Sequence, residues 1–255
     1  MAEKEEFDKE QWLDFIPEIY NYCDRWCEKC PKQMQCLNYV LGKRMEAKAR
    51  SLKKRQRMVV KKFSDHLKNM VEFTRGVLQD LATERGVEME QLCSAKQMDD
   101  LLFGSDLANI QREGELYVQI ENSDILRICK IYENWSIRCI GYFVEQVEQK
   151  DDEQVKCVKE IYWYSDLLQA KIRKALYERI IEKRDAQKGS IDYNGLVKLA
   201  LISIDKSQVA WKTIQSLYAE HTKEIQHLLV ILDQLQKDLE KEFPTARDFL
   251  RPGLD

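Results

Sequence analysis

The feature that most constrains the fold is a series of long segments in which apolar residues recur every three or four positions. Four of these segments follow one another in the second half of the chain, at 123–150, 153–184, 195–219 and 225–243. This spacing places the apolar side chains on one face of an α-helix. Because the connections are short, neighbouring helices are expected to run antiparallel. The pattern predicts an all-α fold, a multi-helix antiparallel bundle.

Residues that interrupt helices are scarce throughout the chain. Only 9 Gly and 4 Pro occur in 255 residues, and 33% of the residues are charged, which is typical of long amphipathic helices. We predict further helices over 37–62 and 63–85, and loops around short helices over 86–114. We expect residues 1–62 to form a cysteine motif and a basic helix, and residues 63–255 to form the bundle, within one continuous domain.

Four of the eight cysteines lie within fifteen residues, in the stretch YCDRWCEKCPKQMQC. Pro17 fits the first turn of a helix, and we predict that helix to run from about residue 17 to residue 30. Cys23, Cys27 and Cys30 then share one helical face, and Pro31 lets the chain turn back to present Cys36. The fold is therefore expected to include an N-terminal cysteine-rich turn that binds a metal.

Four thiolates with no nearby His suit either zinc or a [4Fe–4S] cluster. A compact run of cysteines favours the cluster, with zinc as the alternative. Two disulfides, a redox pair or buried structural thiols are the other interpretations. The start, MAEKEEFDKEQW, shows no secretory signal, so we expect a reducing cytoplasm in which disulfides are rare.

The first three cysteines resemble the C-x3-C-x2-C signature of the radical S-adenosylmethionine enzymes. That family has an aromatic residue just before the third cysteine and builds a β/α barrel from alternating strands and helices. This chain has Lys29 at the aromatic position, and its sequence shows no such alternation. We therefore reject that assignment. Cys27, Cys30 and Cys36 are also similar to part of an auxiliary-cluster motif attached to such enzymes. The opening YCDRWCEKC and the closing FPTARDFLRPG together resemble a group of uncharacterised bacterial proteins, which implies a bacterial cytoplasmic origin and no particular activity.

The segment from residue 43 to residue 62 is strongly basic. Glu46 is its one acid, against Lys43, Arg44, Lys48, Arg50, Lys53, Lys54, Arg55, Arg57, Lys61 and Lys62. A basic helix beside cysteines can bind nucleic acid, but this stretch has no aromatic residues for base stacking. A solvated helix face, paired with the acidic N-terminus, is the preferred interpretation. The net charge of −3 gives no general attraction to nucleic acid, and no apolar run approaches the ~20 residues that span a bilayer.

Acidic residues beside the apolar faces could form a second centre in the bundle. Glu133, Glu160 and Asp205 are candidate catalytic carboxylates, and Glu224 with His227 has the E-x-x-H spacing used in ferritin-like dimetal sites. A second such motif at Glu160 would need His where Trp163 stands. Carboxylates hydrogen-bonded at the boundary of the core are the preferred interpretation.

These patterns lead to one main hypothesis and two alternatives. The main hypothesis is a metalloprotein that binds a [4Fe–4S] cluster through Cys23, Cys27, Cys30 and Cys36 for electron transfer or redox sensing. The first alternative is an interaction protein in which a structural zinc fixes the N-terminus and the basic helix docks a protein or nucleic acid. The second is a helical-bundle enzyme with a carboxylate and histidine metal site. The patterns identify no redox partner, substrate or oligomeric state, and they leave open whether the protein is an enzyme.

Overall fold

The computed structural model describes residues 15–53, 63–92, 110–146, 152–184 and 191–255. Every regular element in these ranges is helical, so the predicted all-α class is confirmed. The α-helices are α1 (Leu37–Lys53), α2 (Phe63–Arg85), α3 (Met89–Leu92), α4 (Ile110–Glu121), α5 (Asp124–Gln146), α6 (Asp152–Arg184), α7 (Tyr193–Leu217) and α8 (Thr222–Glu242). None of these helices carries an apolar run long enough to cross a lipid bilayer.

Several helix ends have an identifiable local cause. Asp192 caps α7, because its side-chain oxygen accepts the N–H of Asn194 at 2.8 Å. Gly86, with φ +66°, ends α2, and the N–H of Val87 returns to the carbonyl of Ala82 at 3.1 Å. That arrangement satisfies the last carbonyls of a helix. The bounds of α2 are those expected from its sequence. The basic helix predicted over 37–62 is present as α1 up to residue 53, and residues 54–62 lie outside the described residues.

The chain divides into two compact units, of which the first comprises Met1–Tyr20 and Cys27–Gln111. Its core joins the buried faces of α1 and α2, which consist of Leu37, Val40, Leu41, Val77, Leu78 and Leu81. Ion pairs bring the same two helices together, with Arg44 2.6 Å from Glu84 and Lys48 2.8 Å from Asp80. The helix α2, which the sequence pattern groups with the bundle, thus packs against α1.

The second unit comprises Asn21–Trp26 and Arg112–Asp255, and its core is built by α5 to α8 with α4 at its side. Tyr193 at the start of α7 lies against Phe243 just after α8, with ring centroids 5.8 Å apart. The guanidinium of Arg179, late in α6, also lies over the Phe243 ring at 4.6 Å. The start of α7 is therefore next to the ends of α6 and α8, which is the expected antiparallel arrangement. Inside this core Trp211 donates its indole N–H to the Tyr132 hydroxyl at 3.1 Å.

Two predicted elements differ from the structure. The helix expected from residue 17 to residue 30 is replaced by short 3-10 turns at Ile19–Asn21 and Cys27–Lys29. Glu18 and Arg25 have φ values of 58° and 57°, and a right-handed helix cannot continue through left-handed residues. In addition, α4 occupies residues 110–121, so that its first turn lies in the region 86–114 where loops around short helices were expected; residues 93–109 of that region lie outside the described residues.

Candidate functional site

The segment Asn21–Trp26, which carries the first cysteine, is bound tightly within the second unit. Tyr22 is 3% exposed, and its hydroxyl accepts the N–H of Asp192 at 3.0 Å. Its ring contacts Phe249, with centroids 4.8 Å apart. Both rings lie over Gly195, where an added Cβ would stand 2.4 Å from Tyr22 and 2.6 Å from Phe249. A residue without a side chain is therefore required at position 195.

Asp24 is the second anchor of this segment. Its carbonyl accepts the indole N–H of Trp163 at 2.9 Å, and its carboxylate accepts the hydroxyl of Tyr164 at 3.2 Å. The other carboxylate oxygen accepts the N–H of Trp26 at 3.0 Å, which closes a local turn. Burial, together with the charge of Asp24, raises the pKa of Tyr164 well above its usual value. Trp26 then stacks on Trp163 with centroids 5.3 Å apart.

Cys23 is half-buried between these two anchors and lies near a buried lysine. The ammonium of Lys171 donates to the carbonyl of Asn21 at 2.8 Å. Burial, together with the nearby charge of Arg25, lowers the pKa of Lys171 to about 8, and Cys23 has the opposite effect. A thiolate at Cys23 would therefore face a positive charge held inside the protein.

The other three cysteines of the quartet lie in a run of tight turns within the first unit. The N–H of Cys30 donates to the carbonyl of Cys27 at 3.1 Å, and the side-chain amide of Gln33 donates to the same carbonyl. The sulfur of Cys30 accepts the backbone N–H of Lys32 at 3.4 Å. Backbone N–H groups directed at sulfur stabilise negative charge on a thiolate ligand. Cys36 is 8% exposed and immediately precedes α1.

The cysteine sulfurs do not form a complete metal site among the described residues. No group of three or more His, Cys, Asp or Glu side chains there is arranged to hold a metal ion. The seven cysteines in these ranges are thiols, and three of them, Cys129, Cys139 and Cys157, lie in the bundle. Burial is the main cause that raises the pKa of each of these three, to about 12 for Cys129. Buried thiols of this kind are poor ligands because their thiolate is disfavoured.

Two of the candidate carboxylates of the bundle are bound by neighbouring side chains. Glu133 accepts a hydrogen bond from the amide of Gln169, and burial, with Asp166 nearby, raises its pKa. Asp205 pairs with Arg247 through contacts of 2.7 and 3.3 Å. These are the contacts expected of carboxylates at the edge of a core.

The remaining candidates of the bundle lie at or near its surface. Glu160 is half-buried on α6, and its charge contributes to the raised pKa of Cys157. Glu224 and His227 are exposed on α8, and the His227 ring meets the edge of Trp135 at 5.6 Å. Among the described residues, these groups are not assembled into a common metal site.

The described part of the basic segment is largely compensated by acids. Arg44 and Lys48 pair with acidic residues of α2, and Lys43 lies 3.7 Å from Glu46. This agrees with a solvated helix face paired with acidic residues, which belong to α2 and, for Glu46, to α1 itself. The acidic N-terminus and the basic residues at 54–62 lie outside the described residues.

The two conspicuous end motifs meet at the start of α7, a contact that was not predicted from the sequence. Tyr22 of the first motif packs on Phe249 of the second, and Lys198 of α7 donates to the carbonyl of Phe249 at 2.6 Å. Lys198 and Arg251 both pair with Asp255 at 2.7 Å and hold its pKa well below the usual range. The clustering of aromatic residues in both motifs was the only available signal.

No protein-family model, curated protein or solved structure shows significant similarity to this chain. The resemblance of its two ends to uncharacterised bacterial proteins stays a prediction. The function must therefore be inferred from the residues themselves.

Proposed function

We propose that Cys23, Cys27, Cys30 and Cys36 bind one metal centre, a [4Fe–4S] cluster, and that the protein serves in electron transfer or redox sensing. The observation that carries the proposal is the compact C-x3-C-x2-C-x5-C spacing. The tight turns from Cys27 to Cys36 and the N–H directed at the Cys30 sulfur support it. The buried ammonium of Lys171 supports a thiolate at Cys23.

Metal binding would have to gather the sulfurs, because the described residues contain no ready-made group of ligands. Coordination is commonly coupled to folding in small cysteine sites, since a preformed site rarely exists before the metal binds. We therefore expect residues 22–36 to rearrange on binding. Protection of their amides from hydrogen exchange should then rise, while exchange in α8 stays unchanged.

The donor set decides which role we propose. Four thiolates complete the coordination of a cluster and leave no open iron for a substrate, so electron transfer or redox sensing fits better than catalysis. Four thiolate ligands must stay reduced until the metal binds, and a cytoplasm provides that condition. Zinc is the alternative metal because the same four thiolates satisfy its tetrahedral preference.

The test is metal and sulfide analysis of protein purified without oxygen. We expect a brown protein with broad visible absorption and about four irons per chain. Substituting each of the four cysteines by Ser should lower the iron content and weaken the absorption. Cys139→Ser is the matched control, because Cys139 is also half-buried but lies in the bundle, and it should leave both unchanged.

A different metal content would decide between the remaining alternatives. A colourless protein with one zinc per chain would replace the cluster by a structural zinc and favour the interaction protein. Metal that persists when all four cysteines are replaced would favour a bundle site that uses Glu224 and His227. Protein with neither iron nor zinc under anaerobic reconstitution would refute the proposal.

A further inference from the structure

Cys27 and Cys30 stand at the two ends of one hydrogen-bonded turn. The N–H of Cys30 donates to the carbonyl of Cys27 at 3.1 Å, which closes the turn. The first and last residues of such a turn have Cα atoms less than ~7 Å apart. A disulfide requires a Cα separation of ~4.4–6.8 Å. The backbone therefore already holds these two cysteines within reach of a disulfide.

Other hydrogen bonds hold the same turn in place. The side-chain amide of Gln33 donates to the carbonyl of Cys27, and the backbone N–H of Lys32 donates to the sulfur of Cys30 at 3.4 Å. Part of the ordering required to bring two thiols together is thus achieved before any reaction. Both cysteines are half-buried, so a small reagent can reach them.

Four of the other described cysteines are less suited to oxidation. Cys129 and Cys157 are buried in the bundle, and Cys36 is 8% exposed. Cys139 is half-buried, but burial raises its pKa and so reduces its thiolate fraction. Cys27 and Cys30 combine partial exposure with a partner at the right spacing.

We propose that Cys27 and Cys30 form a reversible disulfide when the protein meets a low-molecular-weight disulfide such as oxidised glutathione. In the metal-bound protein this reaction would remove two of four ligands and release the metal, so that the turn acts as an oxidation-sensitive switch. The release step rests on the proposed function, whereas disulfide formation does not.

The reaction is an ordinary pair of thiol–disulfide exchanges. One thiolate of the pair attacks a sulfur of oxidised glutathione, which forms a mixed disulfide and expels one glutathione thiolate. The second cysteine thiolate then attacks the protein sulfur of that mixed disulfide and expels the other glutathione thiolate. In total the two cysteines lose two electrons and two protons, and one oxidised glutathione becomes two reduced molecules. An excess of reduced glutathione reverses both steps.

The first arm of the test uses the full-length metal-free protein in glutathione buffers of increasing oxidised fraction. After alkylation of the remaining thiols, peptide mapping by mass spectrometry should show the peptide with Cys27 and Cys30 lighter by two hydrogen atoms. The count of titratable thiols should fall by two. Cys30→Ser should instead leave Cys27 as a glutathione adduct, while the control Cys139→Ser should oxidise as the unaltered protein does.

This arm overturns the proposal if the pair stays reduced in the most oxidising buffer. It also does so if the disulfide joins either cysteine to Cys23 or Cys36, or if only intermolecular disulfides form. Circular dichroism of each variant checks that helix content is retained. Because the decisive measurement is made on the unaltered chain, a variant that fails to fold does not affect the outcome.

The second arm loads the protein with iron and sulfide, or with zinc, and follows metal release during oxidation by glutathione disulfide. Release should keep pace with the Cys27–Cys30 disulfide and should slow at least severalfold in Cys30→Ala if that variant still binds metal. If the disulfide forms in the first arm but the protein binds no metal, the proposed function is refuted and the reversible Cys27–Cys30 disulfide still stands. Metal binding without the disulfide would refute this inference and leave the proposed function.

Discussion

Gly195 offers the sharpest test of the contact between the two end motifs. An added Cβ would stand 2.4 Å from two ring carbons of Tyr22 and 2.6 Å from the ring of Phe249. Favourable carbon contacts lie at ~3.5–4.0 Å, so at least one ring must move by about 1 Å. Tyr22 cannot move freely, because its hydroxyl accepts the N–H of Asp192 at 3.0 Å.

The magnitude for Gly195→Ala follows from three contributions to the free energy of unfolding. Overpacking of a core costs about 1–3 kcal/mol. Loss of the Tyr22 hydrogen bond adds about 1 kcal/mol. Replacing Gly by Ala in a helix returns up to about 1 kcal/mol. We expect a net destabilisation of about 2 kcal/mol, or about 4–8 °C in Tm for a chain of this size.

The matched control is Gly141→Ala in α5, which is also helical but has no atom within 4 Å of the added Cβ. That variant should gain about 0.5–1 kcal/mol. Urea and thermal unfolding followed by circular dichroism compare the two. In a Tyr22→Ala background the Gly195→Ala penalty should fall by at least half, since one of the two colliding rings is gone. Equal stability of the two glycine variants, or an unchanged penalty without Tyr22, would refute the steric argument.

Two further predictions concern buried and paired side chains of the bundle. Burial raises the pKa of the Cys129 thiol from 9.0 to about 12, so the stability it contributes is fully present below pH 9 and is lost as the pH rises towards 12. The difference in unfolding free energy between the unaltered protein and Cys129→Ala should therefore be about 2 kcal/mol smaller at pH 10.5 than at pH 8, as urea titrations can measure, and a pH-independent difference would contradict this cause. Asp205→Asn removes a half-exposed ion pair with Arg247 and should cost less than about 1 kcal/mol with no change in metal content, whereas a loss of bound metal would point to a carboxylate site in the bundle.

The long helices were predictable because their periodicity extends over many turns. The second helix, Phe63–Arg85, has the bounds that its apolar spacing indicates. The helix α4 was missed because Gly114 and neighbouring polar residues suggested loops, although Leu116 and Ile120 bury against the core. In that segment the burial of two residues outweighs a weak local pattern.

The cysteine segment was harder to predict, since distant residues determine its backbone. Local spacing favoured a helix, but Glu18 and Arg25 adopt left-handed conformations. The carbonyl and the carboxylate of Asp24 are bound by Trp163 and Tyr164, about 140 positions away. No local sequence pattern indicates that these distant residues are the partners of Asp24. The thiolate chemistry could be inferred from the spacing alone, whereas the anchors of the segment could not.

The attachment of Asn21–Trp26 to the second unit has a consequence for the order of events during synthesis. Tyr22 is made 227 residues before Phe249, the ring against which it rests. At roughly 5–20 residues per second, a ribosome needs roughly 11–45 s to cover that interval. Until then Tyr22 lacks the ring of Phe249, which covers it in the finished protein, and long-range contacts of this kind form late. The segment that carries the first cysteine is therefore expected to be among the last to settle in the newly made protein.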